Sequence, residues 1–262
     1  MQRIHAFEFN DLDACPAFVR DSIVEVLGEG LRRAGVYESV ADNWLEFVEQ
    51  AEADTILDLC SGSGEPAAAL TEACRNRGAE SPRMVLTDLF PNRAAMSAVA
   101  GEDPDTLDFE PESVDATKIP PHLDYKACSI ICAFHHFPPE LAQAIITEQV
   151  RNNRAVFILE CLPRELLRVP GMMATLAPAY FANPWRTRED RLRKFLATYV
   201  FPAVAALGAW DSVVSALRSY DENEYRAMAE AAGGDYSWTY REIPFVLGGK
   251  ATVFYGIPNT TS

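Results

Sequence analysis

The sequence predicts an α/β fold, with helices first, then a doubly wound and mostly parallel sheet that closes in an antiparallel hairpin. Three observations carry this. From Thr55 onward, short apolar runs alternate with amphipathic helical stretches, and strand–helix alternation implies a parallel sheet covered on both faces. The first of these runs ends in a glycine-rich loop that opens a helix. The last two flank Leu247-Gly248-Gly249, and short glycine turns favour a hairpin.

Each element follows in order. In residues 1–52, Phe18, Ile23, Val26, Leu27 and Leu31, then Trp44, Leu45, Phe47 and Val48, recur at helical spacing between charged residues. Residues 53–164 hold the strand candidates Thr55–Cys60, Met84–Asp88, Leu107–Phe109, Cys128–Phe134 and Ala155–Cys161, with helices at Pro66–Arg77 and Pro139–Arg151. Residues 165–232 read as a long helical insertion. Residues 233–262 carry the closing strands Tyr236–Phe245 and Gly249–Pro258. A chain of 262 residues that is 48% hydrophobic can bury one large core, so residues 1–262 read as one domain bearing a helical cap.

Composition narrows the function. Lys and Arg number 23 against 38 Asp and Glu, a formal net charge of -15 that repels a phosphate backbone and argues against a nucleic-acid partner. Solubility is the plainer reason for the acidity. No run of about eighteen apolar residues marks a membrane span; Ala197–Trp210 comes nearest, broken by Pro202 and Gly208, and reads as a buried helix pair. The six cysteines form no C-x-x-C pair and several lie in apolar runs, as reduced thiols of a cytoplasmic protein do. The N-terminus carries acids where a signal peptide needs an apolar stretch.

The most informative run is Ile56–Ala67, ILDLCSGSGEPA: an apolar strand ends in Asp58, turns through Gly62 and Gly64, and enters a helix at Pro66. Pro is free at a first helical position, and glycines let a ligand approach backbone N–H groups at a helix start. A G-x-G alone is weak, and Gly62-x-Gly64-x-x-Ala67 also satisfies a dinucleotide fingerprint. Asp58 tips the balance, because a pyrophosphate does not want a carboxylate there, whereas a ligand with an ammonium and a carboxylate does.

These residues resemble the class I S-adenosylmethionine-dependent methyltransferases, whose first motif reads D-L-x-x-G-x-G. The resemblance implies a Rossmann-like seven-stranded sheet and S-adenosyl-L-methionine as cofactor, with residues 53–164 as the cofactor-binding half. It extends to Val85–Asn92, where Asp88 stands as the family's ribose-binding acid beside Leu89 and Asn92; a carboxylate can accept both bonds of a diol. Val114–Pro120 is similar to the adenine motif, with Asp115 and the Ala116 backbone at the base. Ser129–Phe137 is similar to the fourth strand, whose Phe134 flanks the cofactor. Cys60, Ser61 and Ser63 serve as loop residues around the glycines. A narrower bacterial methyltransferase-like group shares an F-E-F-x-D opening (Phe7-Glu8-Phe9 here), the Asp58–Gly64 loop, Thr87–Asn92, Ala133–Phe137 and a W-D-x-V-V-S-x-L-R-x-Y motif, Trp210–Tyr220. Glu65-Pro66 stands where that group has a third glycine.

The resemblance implies methyl transfer to O or N of a small-molecule acceptor. The alternatives are an enzyme that consumes S-adenosylmethionine without an acceptor, a nucleotide-cofactor oxidoreductase, and a non-catalytic binding module. A hydroxyl or protonated amine acceptor needs a base, and His135 and His136 follow the fourth strand. Adjacent strand-end residues face opposite sides, so one of the two reaches the cleft, unless both simply pack beside the cofactor. Neither metal-site acids nor the Asn/Asp-Pro-Pro-aromatic signature accompanies the pair, so no metal and no DNA-base substrate is expected. Glu160, Tyr180, Trp185 and Arg218 are acceptor-binding candidates, and Asp211 is a polar anchor or, more simply, the partner of Arg218. The insertion is expected to cover the methyl group, leaving an apolar pocket, with a homodimer as a possible assembly.

Overall fold

The computed structural model describes residues 2–9, 12, 15–186 and 191–259. In chain order its elements are α1 (Ala17–Arg33), α2 (Val36–Ala51), β1 (Thr55–Asp58), α3 (Glu65–Asn76), β2 (Arg83–Leu86), α4 (Arg93–Glu102), β3 (Leu107–Phe109), β4 (Ala127–Ile131), α5 (Pro139–Arg151) and β5 (Ala155–Glu160). There follow α6 (Val169–Arg186), α7 (Arg191–Phe195), α8 (Ala203–Arg218), α9 (Glu222–Ala232), β6 (Tyr236–Phe245) and β7 (Gly249–Pro258). The chain divides into two compact units. Unit 1 comprises Met1–Val36, Cys161–Ser219 and Pro244–Lys250; unit 2 comprises Tyr37–Glu160, Tyr220–Ile243 and Ala251–Ser262. Two segments join units other than the sequence pattern groups them with: α1 belongs to unit 1 apart from α2, and α9 belongs to unit 2 apart from the rest of the insertion.

In unit 2 the seven strands run β3-β2-β1-β4-β5-β7-β6. The first five are parallel and β7 pairs antiparallel with β5. All the parallel strands therefore end at one edge, and in such sheets ligands bind at that edge. β4 and β5 are buried at every residue, which is why their sequences are continuous apolar runs rather than alternating ones. β4 stops earlier than the sequence predicts. Cys132 adopts φ +57, a left-handed conformation no strand continues through, and Phe134–His136 form a 3₁₀ turn instead. On one face of the sheet Ile130, Ile158 and Phe254 pack with Ile145, Ile146, Tyr225 and Met228 from α5 and α9. On the other, Trp44 and Phe47 of α2 pack their rings against Phe157, and Phe47 also meets Tyr255. α9 begins in a full capping box between Asp221 and Glu224, which fixes where the chain turns back towards β6. The hairpin turn is a 3₁₀ turn, Val246–Gly248, with Gly248 at φ +74.

Unit 1 has its own core, in which Val19, Ile23 and Val26 of α1 meet Leu176 and Tyr180 of α6 and Val204 of α8. Small residues set these contacts. A side chain at Gly30 would come within 2.0 Å of Leu176, so α1 and α6 approach as closely as glycine allows. No single helix among the described residues is long and apolar enough to cross a membrane. The apolar stretch before and after Pro202 bends by 75°, as two separate helices.

Candidate active site

The glycine loop is built from its buried acid upward. Asp58 ends β1 almost fully buried, and its carboxylate accepts from the Ser61 and Ser129 hydroxyls, each at 2.6 Å. Burial pushes its carboxyl up to about 6, an effect the two serine bonds oppose and the nearby Asp88 charge reinforces. Asp58 is thus the strut under the loop, where the sequence suggested a group facing the ligand. Its serine partners were not anticipated; a lone hydroxyl in the apolar run of β4 was the available signal. The Thr87 hydroxyl and N–H both donate to the Asp58 carbonyl, at 2.9 and 2.8 Å, which locks the ends of β1 and β2 together.

Above that strut the loop opens. Cys60 and Gly62 both take left-handed backbone conformations, φ +60 and +56. A Cβ built on Gly62 meets nothing within 4 Å, so the exposed side of this glycine is open space. Gly64, φ +85, serves packing instead: a Cβ there would lie 2.6 Å from Leu86. Asp88 spans the gap between strands, accepting from the Gly62 N–H on one oxygen and the Phe90 N–H on the other, both at 2.9 Å. Asp115 stands exposed after β3, with one oxygen accepting from the Thr117 N–H and hydroxyl at 2.8 and 2.7 Å. The three acids converge. Burial first, then the Asp88, Asp58 and Asp115 charges, push the Cys60 thiol far above its usual range, so Cys60 is a loop residue and no nucleophile.

Several neighbours have local roles. Asn92 caps α4 by accepting from the Ala95 N–H at 3.1 Å, and Leu89 is exposed beside it. Ala116 is buried and Ser63 half-buried. Phe134 corrects the expectation for its side chain: the ring is fully buried, stacked on Tyr225 at 5.7 Å and packed on Tyr220 at 5.5 Å, so it is core.

The histidines depart from the alternating strand pattern. Because Phe134–His136 is a 3₁₀ turn, the His135 and His136 rings lie side by side, centroids 4.3 Å apart, rather than on opposite faces. Glu160, at the carboxyl end of β5, holds His135 with both oxygens: one accepts from the His135 N–H at 2.9 Å, and the other is 2.7 Å from Nδ1. Both residues are buried. A carboxylate facing Nδ1 fixes the proton there and makes Nε2 the proton-accepting nitrogen.

In unit 1 the remaining candidates form a different structure. Trp210 Nε1 donates to the Phe7 carbonyl at 3.0 Å, and Asp211 accepts from the Phe9 N–H at 2.7 Å. Arg218 donates to the Ala6 carbonyl at 2.8 Å and pairs with buried Glu8 at 3.2 Å, and Ser215 donates to Glu8 at 2.9 Å. The conspicuous motif of α8 and the Phe7-Glu8-Phe9 opening therefore clasp each other. The expected Asp211–Arg218 pair is replaced by two separate grips on the N-terminal segment; Asn10 and Asp11 of that opening lie outside the described residues. Tyr180 is buried with its hydroxyl against Gly208, and burial, with a smaller push from Asp211, raises that hydroxyl to about 12. Trp185 is exposed and donates to the Tyr199 hydroxyl at 3.0 Å.

No protein-family model and no curated protein matches the sequence. Solved structures match the fold. The methyltransferase domain of a bacterial protein, CtHen1, aligns with a TM-score of 0.50 at 11% identity, over 84% of this chain and 98% of that one. A Nostoc punctiforme PCC 73102 protein assigned provisionally as an O-methyltransferase also aligns with a TM-score of 0.50, at 16% identity, over 97% of this chain and 64% of its own. The fold is that of the class I methyltransferases.

Proposed function

We propose that the protein transfers a methyl group from S-adenosylmethionine to an oxygen or nitrogen of a small-molecule acceptor. The observation that carries this reading is the convergence at one sheet edge of an open glycine, Gly62, with the Asp88 and Asp115 carboxylates, next to strands that end in a histidine–carboxylate pair. The residues present fit the cofactor. In this reading the open space over Gly62 admits a ligand against the backbone, Asp88 accepts from the ribose diol, and Asp115 accepts from the adenine amine. When bound, the sulfonium supplies an electrophilic methyl carbon. The chain's own contribution is to orient the reactants, and positioning accounts for much of the rate of such a displacement.

His135 is the base in this reading. Glu160 holds its ring and its tautomer, so Nε2 accepts the proton that an acceptor hydroxyl or amine loses as it is methylated. Glu160 is then a positioning residue, not the acceptor contact that the sequence reading made it.

Two measurements test this. Titration calorimetry should show S-adenosylhomocysteine binding in the micromolar range, weakened in Asp88→Ala by the 1.5–3 kcal/mol of a charge-assisted bond, and no comparable NAD binding. Binding of NAD with no response to S-adenosylhomocysteine would refute the cofactor assignment. For the base, His135→Ala should lower kcat by about 10²–10⁴ with cofactor affinity kept, and Glu160→Gln should lower it less, with KM unmoved.

A further inference from the structure

Unit 1 exposes an apolar surface of large side chains from α6, α7 and the turn that follows. α7 runs into a π-helical turn, Leu196–Val200, and along this stretch Leu192, Leu196, Tyr199 and Val200 recur at the spacing of one helix face. Leu192 is 72% exposed, and Phe201, which follows, is 72% exposed as well. Phe181 and Trp185 of α6, both more than half exposed, join the same surface: the Tyr199 hydroxyl donates to the Phe181 carbonyl at 2.6 Å and accepts from Trp185 Nε1. The Phe195 ring braces Trp185 and Tyr199, and Arg191 lies over the Trp185 ring at 5.2 Å.

We infer that this surface binds a second copy of the chain about a two-fold axis. Area is the first argument. The exposed fractions of Phe181, Trp185, Leu192, Leu196, Tyr199, Val200 and Phe201 together equal about four whole side chains, on the order of 800 Å² at ~200 Å² each. That exceeds the ~300–600 Å² of the largest patch on an ordinary monomer and matches the ~800 Å² that each partner contributes to a stable interface. Composition is the second. Trp, Tyr and Arg are the residues that dominate interface energies, and here hydrogen bonds hold the aromatic rings in place before any partner arrives. Charge is the third: unit 1, with 13 Lys and Arg against 10 Asp and Glu, carries only +3, so two such units meet with little repulsion, and a vesicle test separates a second copy from an anionic bilayer.

Sedimentation or light scattering on the full chain between about 1 and 100 μM decides it. A dimer is expected, converted to monomer by Leu192→Glu and by Phe201→Glu, each with unchanged S-adenosylhomocysteine affinity; Leu141→Glu, an exposed leucine of unit 2, should leave the dimer intact. A wild-type monomer across that range overturns the inference. So does a dimer that both substitutions leave intact, a dimer lost equally in Leu141→Glu, or co-flotation of the protein with phosphatidylserine vesicles that Phe201→Glu abolishes.

Discussion

Asp58 lies buried under the glycine loop, its carboxylate engaged by the Ser61 and Ser129 hydroxyls. Its two hydroxyl bonds do not fully offset the loss of water, so its carboxyl titrates near 6 in the fold against about 4 in an unfolded chain. The sign follows from linkage. A raised pKa means that the folded state binds the proton more tightly, so the stabilising contribution is complete below about pH 4 and is lost as pH rises through about 6. Asp58→Asn removes the titration. The difference in unfolding free energy between wild type and Asp58→Asn should therefore shift by about 3 kcal/mol in favour of the variant between pH 4 and pH 7. Urea midpoints at the two pH values measure it, and a constant difference would mean that the burial of Asp58 costs nothing. Sequence reading found this residue from the D-L-x-x-G-x-G pattern but not its partners, because Ser129, one of the two, lies 71 positions away on a neighbouring strand. For Phe134 and the histidines the reason is local: the strand ends three residues early, at Ile131 before the left-handed Cys132, and each following side chain turns to another direction.

At the scale of elements, the loop between β1 and α3 divides its two glycines by task. Gly64 is needed by packing and conformation together, since an added methyl meets Leu86 and φ is +85. Gly62 needs only its conformation, and the space beside it is open. Gly64→Ala should therefore cost about 1–3 kcal/mol of stability, a fall of a few degrees in Tm. Gly62→Ala should lose less stability yet weaken S-adenosylhomocysteine binding at least tenfold. If Gly62→Ala binds normally, the cradle lies elsewhere. The clasp on α8 offers a sharper stability test. Arg218 and Glu8 are both buried, and removing one partner of a buried pair costs about 3–5 kcal/mol because the other charge is left uncompensated. Arg218→Ala should destabilise unit 1 by that order, and hydrogen exchange in residues 3–9 should rise with it. Glu8→Gln in addition should recover part of the loss, which a simple packing defect would not allow. The sequence presented these two motifs as separate signatures about 200 residues apart, and no periodicity connects an extended segment to the helix that grips it.

For the whole molecule, the sheet and its order of elements were legible because strand–helix alternation is a local pattern, whereas the division into two units rests on contacts between distant segments. Charge follows that division. With 13 basic and 10 acidic residues unit 1 carries +3, and unit 2, with 10 basic and 28 acidic, carries -18. Like charges at that density oppose compaction, and salt relieves the opposition: the screening length falls from about 30 Å at 0.01 M to about 10 Å at 0.1 M. The ion pairs of unit 2 that would lose by screening lie mostly at its surface, such as Arg226–Glu222 and Arg83–Asp108, where each contributes at most ~1 kcal/mol. Self-repulsion should dominate, so added sodium chloride should stabilise unit 2 more than unit 1. Hydrogen exchange read peptide by peptide at 0.02 and 0.5 M salt makes the comparison within one molecule, with β4, α5 and β5 reporting on unit 2 and α1, α6 and α8 on unit 1. Protection is expected to rise in the first set by a larger factor than in the second. An equal rise in both would mean that salt acts through general burial of apolar surface, and a larger rise in α1, α6 and α8 would place the dominant repulsion in the wrong unit.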